Sequence, residues 1–130
     1  MIQERPSMMT LGDLKPTLTL DQILILQETT DKTRLDPAIA AYIQQLAQQS
    51  RSVPELSLGL STRGALAVAQ AARATARLHD RDYVTPEDVA EHFVAAASHR
   101  ITPSDPALID HSAAMEQIAE DVLRAVPAPI

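Results

Sequence analysis

At 130 residues the chain has the length of one domain, and 45% hydrophobic against 2% aromatic residues demands a core of Leu, Ile, Val and Ala, which suits packed helices better than strands. The lack of cysteine excludes disulfides, thiolate metal ligands and a cysteine nucleophile. A formal charge of −6 argues against a nucleic-acid partner, and neither a signal-peptide pattern in "MIQERPSMMT" nor an apolar run of about 18 residues points to a membrane, so a cytoplasmic protein is expected.

Residues 1–18, with Pro6, Pro16 and no apolar period, read as an irregular lead-in. Thr19 and Gln22 have capping-box spacing ahead of a first helix over Leu20–Thr30, with Leu20, Ile23, Leu24 and Gln27 at helical intervals. Asp36 caps and Pro37 opens a second helix to about Arg51, whose apolar set is Ile39, Ala40, Tyr42, Ile43, Leu46 and Ala47. The stretch Ser52–Ser61, carrying Pro54 and Gly59, reads as a loop in which Leu56–Leu60 can pair briefly. Ser61 then caps a third helix from Thr62 to about His79.

A fourth helix is announced by "YVTPEDVAEHF": Thr85 caps, Pro86 takes the first position, and Glu87 and Asp88 meet the positive end of the dipole. It ends near His99. "ITPSDPALID" reads as a proline-broken linker, and Ser112–Ala125 as a fifth helix with Met115, Ile118, Ala119 and Val122 on one side. The expected organisation is an all-α helical bundle of about four helices over 19–101, followed by a linker and C-terminal helix over 102–130.

Chemistry concentrates on the third helix. Projected at about 100° per residue, Ala65, Val68, Ala69, Ala72 and Ala76 form its core face, while Arg63, Gln70, Arg73 and Arg77 lie opposite. Arg73 and Arg77 fit an ordinary solvated face, and Arg77 gains from the C-terminal dipole. Arg63 stands in the first turn, where the dipole prefers an anion and a cation costs about 0.3–1 kcal/mol. With Ser61, Thr62 and Gly64 beside it, unpaired N–H groups and room at the glycine, this turn reads as half of an anion site. Leu66 falls among the arginines, which marks Leu66, Arg73 and Arg77 as interface candidates; the role of Arg51 stays open.

The segment "LGLSTRGALAVAQAARATARLHDRDYVTPEDV" resembles the C-terminal lid of the MoxR branch of AAA+ ATPases, in which Gly-x-Ser-x-Arg opens a helix followed by "AARA" and "R-D-Y-V-T-P-E-D-V". "LTLDQILILQETTDKTRLDPAIAAYIQQLAQQSR" is similar to the preceding lid helices, "SHRI" to the close of the fourth, and "VLRAVPAP" to the usual end. The resemblance implies that Arg63 is the second-sensor arginine, reaching toward the γ-phosphate of ATP on an AAA+ core domain of the same protein. It further implies ring homo-oligomers, commonly hexamers, chaperone-like maturation of client proteins, and von Willebrand factor A domain partners.

The chain departs from that family in having no Gly-x-x-x-x-Gly-Lys-Ser/Thr loop, since neither Lys15 nor Lys32 follows a glycine. ATP and magnesium are therefore expected only through the core domain, no ATP hydrolysis is expected from this chain alone, and an excised or truncated piece of a longer ATPase is expected.

Alternatives are a stand-alone helical interaction module without nucleotide and, less compatible with the acidity, a histone-like or helix-turn-helix DNA binder. His79, His92, His99 and His111 read as exposed helix residues rather than metal ligands, Asp88 and His92 as a surface pair, and Tyr42 and Tyr83 as packing residues, Tyr83 anchoring the loop before the fourth helix.

Overall fold

The computed structural model describes residues 14–109 and 111–130, so most of the expected lead-in, residues 1–13, lies outside the described residues. Five α-helices follow in chain order: α1 (Leu20–Asp31), α2 (Pro37–Arg51), α3 (Thr62–Leu78), α4 (Pro86–Ala97) and α5 (Ser112–Ala125). A small two-stranded ribbon, β1 (Leu56–Leu58) against β2 (Thr102–Pro103), is the only sheet among the described residues.

The expected caps form. Thr19 and Gln22 close a reciprocal box at the start of α1, the Thr19 hydroxyl accepting from the Gln22 N–H at 3.2 Å and the Gln22 carbonyl from the Thr19 N–H at 2.8 Å. Asp36 accepts from the Ala38 N–H at 2.9 Å, with Pro37 at the first helical position of α2.

Packing separates α1 from the rest. Leu46 of α2, Val68 and Ala72 of α3, Val89 and Phe93 of α4, and Met115, Ala119 and Val122 of α5 share one buried cluster. The C-terminal helix is thus part of the same core as the helices before residue 101. No residue of α1 is buried: Leu20 stands 71% exposed and Ile25 61%. Leu20, Ile23 and Leu24 share one face of the helix, with Ile25 and Leu26 flanking it, and none of these side chains is covered by the other described residues. Only its C-terminal end is tied down, by Asp31 accepting from Gln70 Nε2 at 2.6 Å and by the buried Thr33, whose hydroxyl donates to the Thr29 carbonyl at 3.2 Å. On α2, Ala40 is exposed rather than buried, because it lies at the edge of the stripe centred on Ile39, Ile43 and Leu46.

The stretch read as a linker is held instead. Leu56 pairs with Pro103 and Leu58 with Thr102 across an irregular antiparallel register, and the Ser104 N–H donates to the Glu55 carbonyl at 2.8 Å. The two loops thereby satisfy each other's backbone groups, which a pattern of isolated prolines does not reveal.

Helix α3 ends in a Schellman closure: the Arg81 N–H donates to the Ala76 carbonyl at 2.9 Å and the Asp80 N–H to the Arg77 carbonyl at 3.1 Å. Asp80 supplies the left-handed residue, with φ 55°. The chain then runs beside Arg34, whose N–H donates to the Asp82 carbonyl at 2.8 Å and whose carbonyl accepts from the Val84 N–H at 3.0 Å. The guanidinium carbons of Arg34 and Arg81 stand 5.9 and 5.8 Å from the Tyr83 ring centroid, so Tyr83 anchors this loop through both cations.

Asp88 departs from its reading as a surface partner of His92. It is 1% exposed and accepts from Arg81 through both guanidinium nitrogens at 2.7 and 2.5 Å, from the Thr85 N–H at 2.7 Å and from the Thr85 hydroxyl at 3.2 Å. His92 lies near Glu91 instead, at 3.6 Å. Burial alone would raise the Asp88 pKa, but the hydrogen bonds from Arg81 and Thr85 outweigh it and hold the carboxyl below its ordinary value.

Two outcomes follow from these loops. Asp80→Gly removes the left-handed penalty of a side chain and raises stability by about 0.5–1 kcal/mol in urea unfolding. Because the folded pKa of Asp88 is depressed, its contribution is present above the unfolded aspartate value and is lost as pH falls through the folded one. The thermal midpoint of the chain therefore drops below about pH 4, and Asp88→Asn, which strips Arg81 of its anion, lowers it by roughly 5 °C or more at neutral pH and flattens that acid limb.

Candidate functional site: the first turn of α3

Ser61 has extended backbone, φ −73° and ψ 165°, and its hydroxyl accepts from the Gly64 N–H at 3.1 Å. Its carbonyl takes the Ala65 N–H at 2.9 Å. The N–H groups of Thr62 and Arg63 precede the first intrahelical bond and have no partner among the described residues. Arg63 is exposed, and among the described residues its guanidinium makes no ion pair or hydrogen bond. The turn has no acidic residue. A cation and two donor groups thus stand together on the surface of an acidic chain.

What fixes this turn lies just before it. A Cβ on Gly59 would fall 2.6 Å from the Arg51 nitrogen and 2.7 Å from the Arg51 Cα, so only glycine lets the incoming strand lie on the last turn of α2. Leu60, fully buried, donates its N–H to Ser50 Oγ at 2.8 Å, while its carbonyl accepts from Arg51 Nε at 3.1 Å. Ser50, itself buried, donates its hydroxyl to the Ala47 carbonyl at 2.7 Å.

Gly64 has a packing role. It is buried, its N–H is taken by Ser61, and a Cβ there would meet Leu60 Cδ1 at 2.5 Å. The glycine makes a notch for Leu60 on the inner side of the helix, away from the open turn, whose remaining donors are those of Thr62 and Arg63.

The arginine face divides in two. At its upper end Arg63 and Leu66, the latter 67% exposed, are open. A groove of about 320 Å³ between α2 and α3 runs beside them, lined by Ile43, Ala47, Arg51, Thr62 and Leu66 among others. At the lower end Arg73 and Arg77 are half-buried. Arg73 Nη1 lies 3.5 Å from Gln70 Oε1, and Arg77 Nη1 donates to the Arg81 carbonyl at 3.3 Å. The core face follows expectation, with Val68, Ala69, Ala72 and Ala76 buried and Ala65 half-buried.

The four histidines lie apart in the fold. His79 sits 3.9 Å from Asp88, His99 Nδ1 lies 3.0 Å from the Ala95 carbonyl, and His111 flanks the start of α5. Among the described residues no group of three or more histidines and acids is placed to hold a metal ion, and no helix is long and apolar enough to cross a membrane. Sequence reasoning missed Ser50 and Leu60, and read Gly59 only as a loop and motif glycine without its contact with Arg51. Gly59 in "SLGLS" carried a signal for a close approach, but its partner lies in another helix.

Residues 48–123 of this small helical bundle match the AAA lid domain family. The chain belongs to that family, and its relatives place it in the MoxR type. It is 33% identical over 117 residues to "Uncharacterized protein YeaC" of Bacillus subtilis (strain 168), covering 90% of this chain and 36% of the relative. It is 29% identical over 124 residues to "Chaperone MoxR1" of Mycobacterium tuberculosis (strain ATCC 25618 / H37Rv), covering 88% and 33%. A solved structure from Cytophaga hutchinsonii ATCC 33406, of a protein with a provisional ATPase assignment, superposes with a TM-score of 0.73 at 25% identity over 85% of this chain and 36% of that one. The chain spans about a third of the length of the curated relatives it matches.

The notch is tested by Gly64→Ala. Alanine improves helix propensity by about 1 kcal/mol, yet its methyl must displace the buried Leu60, an overpacking of roughly 1–3 kcal/mol, so urea unfolding shows a net loss.

Proposed function

We propose that this lid reads the nucleotide state of an AAA+ core domain in the same polypeptide through Arg63. The observation carrying the proposal is the exposed guanidinium of Arg63, without an acidic partner among the described residues, on a helix turn whose first two N–H groups also lack partners. A γ-phosphate supplied by the core would satisfy this turn: the planar guanidinium pairs with phosphate oxygens in two directions, and the helix start favours their charge. The groove bordered by Thr62 and Leu66 gives the remainder of the nucleotide, or the core surface holding it, an apolar neighbour.

Loss of the γ-phosphate on hydrolysis removes the anion facing Arg63, so ATP and ADP favour different placements of the lid. Magnesium and the hydrolytic groups belong to the core in this reading. The likeness to a chaperone supports client remodelling as the output, and the family resemblance supports a ring assembly with von Willebrand factor A domain partners.

The test is Arg63→Ala in the ATPase polypeptide carrying this lid. Turnover of ATP falls about tenfold or more, corresponding to at least one lost charge-assisted contact of roughly 1.4 kcal/mol in the transition state. Circular dichroism of the 130-residue chain bearing the same change stays helical, since the side chain supports nothing in the lid. Turnover equal to the parent enzyme's would refute the assignment.

A further inference from the structure

We infer that Ser50 and Arg51, the last two residues of α2, are positioning residues for Arg63, acting through the backbone of Leu60. The inference rests on the nucleotide-sensing reading above and names what aims its cation.

An arginine on an exposed first turn has no packing of its own, so its reach is set by where the helix begins. Ser61 and Thr62 are exposed, and β1 before them is largely exposed. Leu60 is the first fully buried residue on the approach to Arg63. Its two backbone polar groups are held by neighbouring residues of one helix, the N–H by Ser50 Oγ at 2.8 Å and the carbonyl by Arg51 Nε at 3.1 Å. Ser50 cannot swing away freely, because its own proton is committed to the Ala47 carbonyl at 2.7 Å. Gly59 presses on the Arg51 backbone, and the Leu60 side chain is seated against Gly64, one residue beyond Arg63. The start of α3 is therefore referenced to the end of α2. A shift of α2 carries Arg63 with it, and a break in the clamp lets the turn move while the helix survives.

Two measurements separate this clamp from the sensor reading on which it rests. In the 130-residue chain, the Leu60 amide exchanges slowly with solvent deuterium, and Ser50→Ala speeds its exchange by about tenfold or more. Free exchange of that amide in the unsubstituted chain overturns the clamp whatever the enzyme does.

In the ATPase polypeptide, Ser50→Ala lowers kcat in the Arg63 background but has no further effect when combined with Arg63→Ala, whereas its stability loss is the same in both backgrounds. Arg51→Ala, on a more exposed side chain, supplies the same comparison if Ser50→Ala does not fold. Equal fold-losses in both backgrounds mean a merely structural role, or direct contact with ligand, and overturn the inference. An inert Arg63→Ala removes the sensor itself, and the clamp then has nothing to aim.

Discussion

The lid is organised around the burial of Leu60. Its side chain fills a notch that only a glycine at position 64 leaves open, and its peptide groups are bonded to the closing turn of α2. A buried N–H without an acceptor costs about 1–3 kcal/mol, and an apolar side chain left in solvent forgoes a similar amount, so both requirements push toward one placement of the chain. From that placement α3 departs at a fixed angle and sends Val68, Ala72 and Ala76 into the common core. The open first turn is a by-product of the same geometry: with Leu60 directed inward, Thr62 and Arg63 are left outside.

Charge is distributed accordingly. In a chain of net charge −6, Arg81 is spent on the buried Asp88, Arg124 on Glu120 and Asp121, and Arg77 on a backbone carbonyl. Arg63 has no such use among the described residues and stands where its own helix repels it. Folding gains nothing from a cation there, and the proposed phosphate contact would supply the anion this turn lacks. Arg81 is the contrast: it joins the loop after α3 to the cap of α4, and Tyr83 stacks beside it.

How much was legible in the sequence follows the range of the interaction concerned. Caps and first-turn prolines bond within about three residues of themselves, so Thr19, Asp36 and Ser61 could be read directly, and the helices they start lie where expected. The exposed position of Arg63 was likewise readable from helical periodicity. Gly64 was read as room for a ligand, and the contact with Leu60 that gives it a packing role exists only once the loop has folded. Brief pairing of Leu56–Leu60 was readable, but its partner was not: the pairing of Glu55 with Ser104 spans nearly half the described chain, and the two-residue strand Thr102–Pro103 leaves no alternating pattern to find. Asp88 misled because its i,i+4 neighbour on the helix is His92, while its true partner sits in the loop before that helix.

Helix α1 has a different kind of stability. It is begun by a reciprocal box, ended by the Asp31–Gln70 contact, and owes nothing to the buried cluster. A segment with so few apolar contacts has a local opening free energy far below that of the whole domain. It can fray, reorient or re-form as a cooperative unit of its own while α2 to α5 stay folded. Among the described residues, the first helix is thus the part of the fold whose opening costs least, beside four helices that share one core.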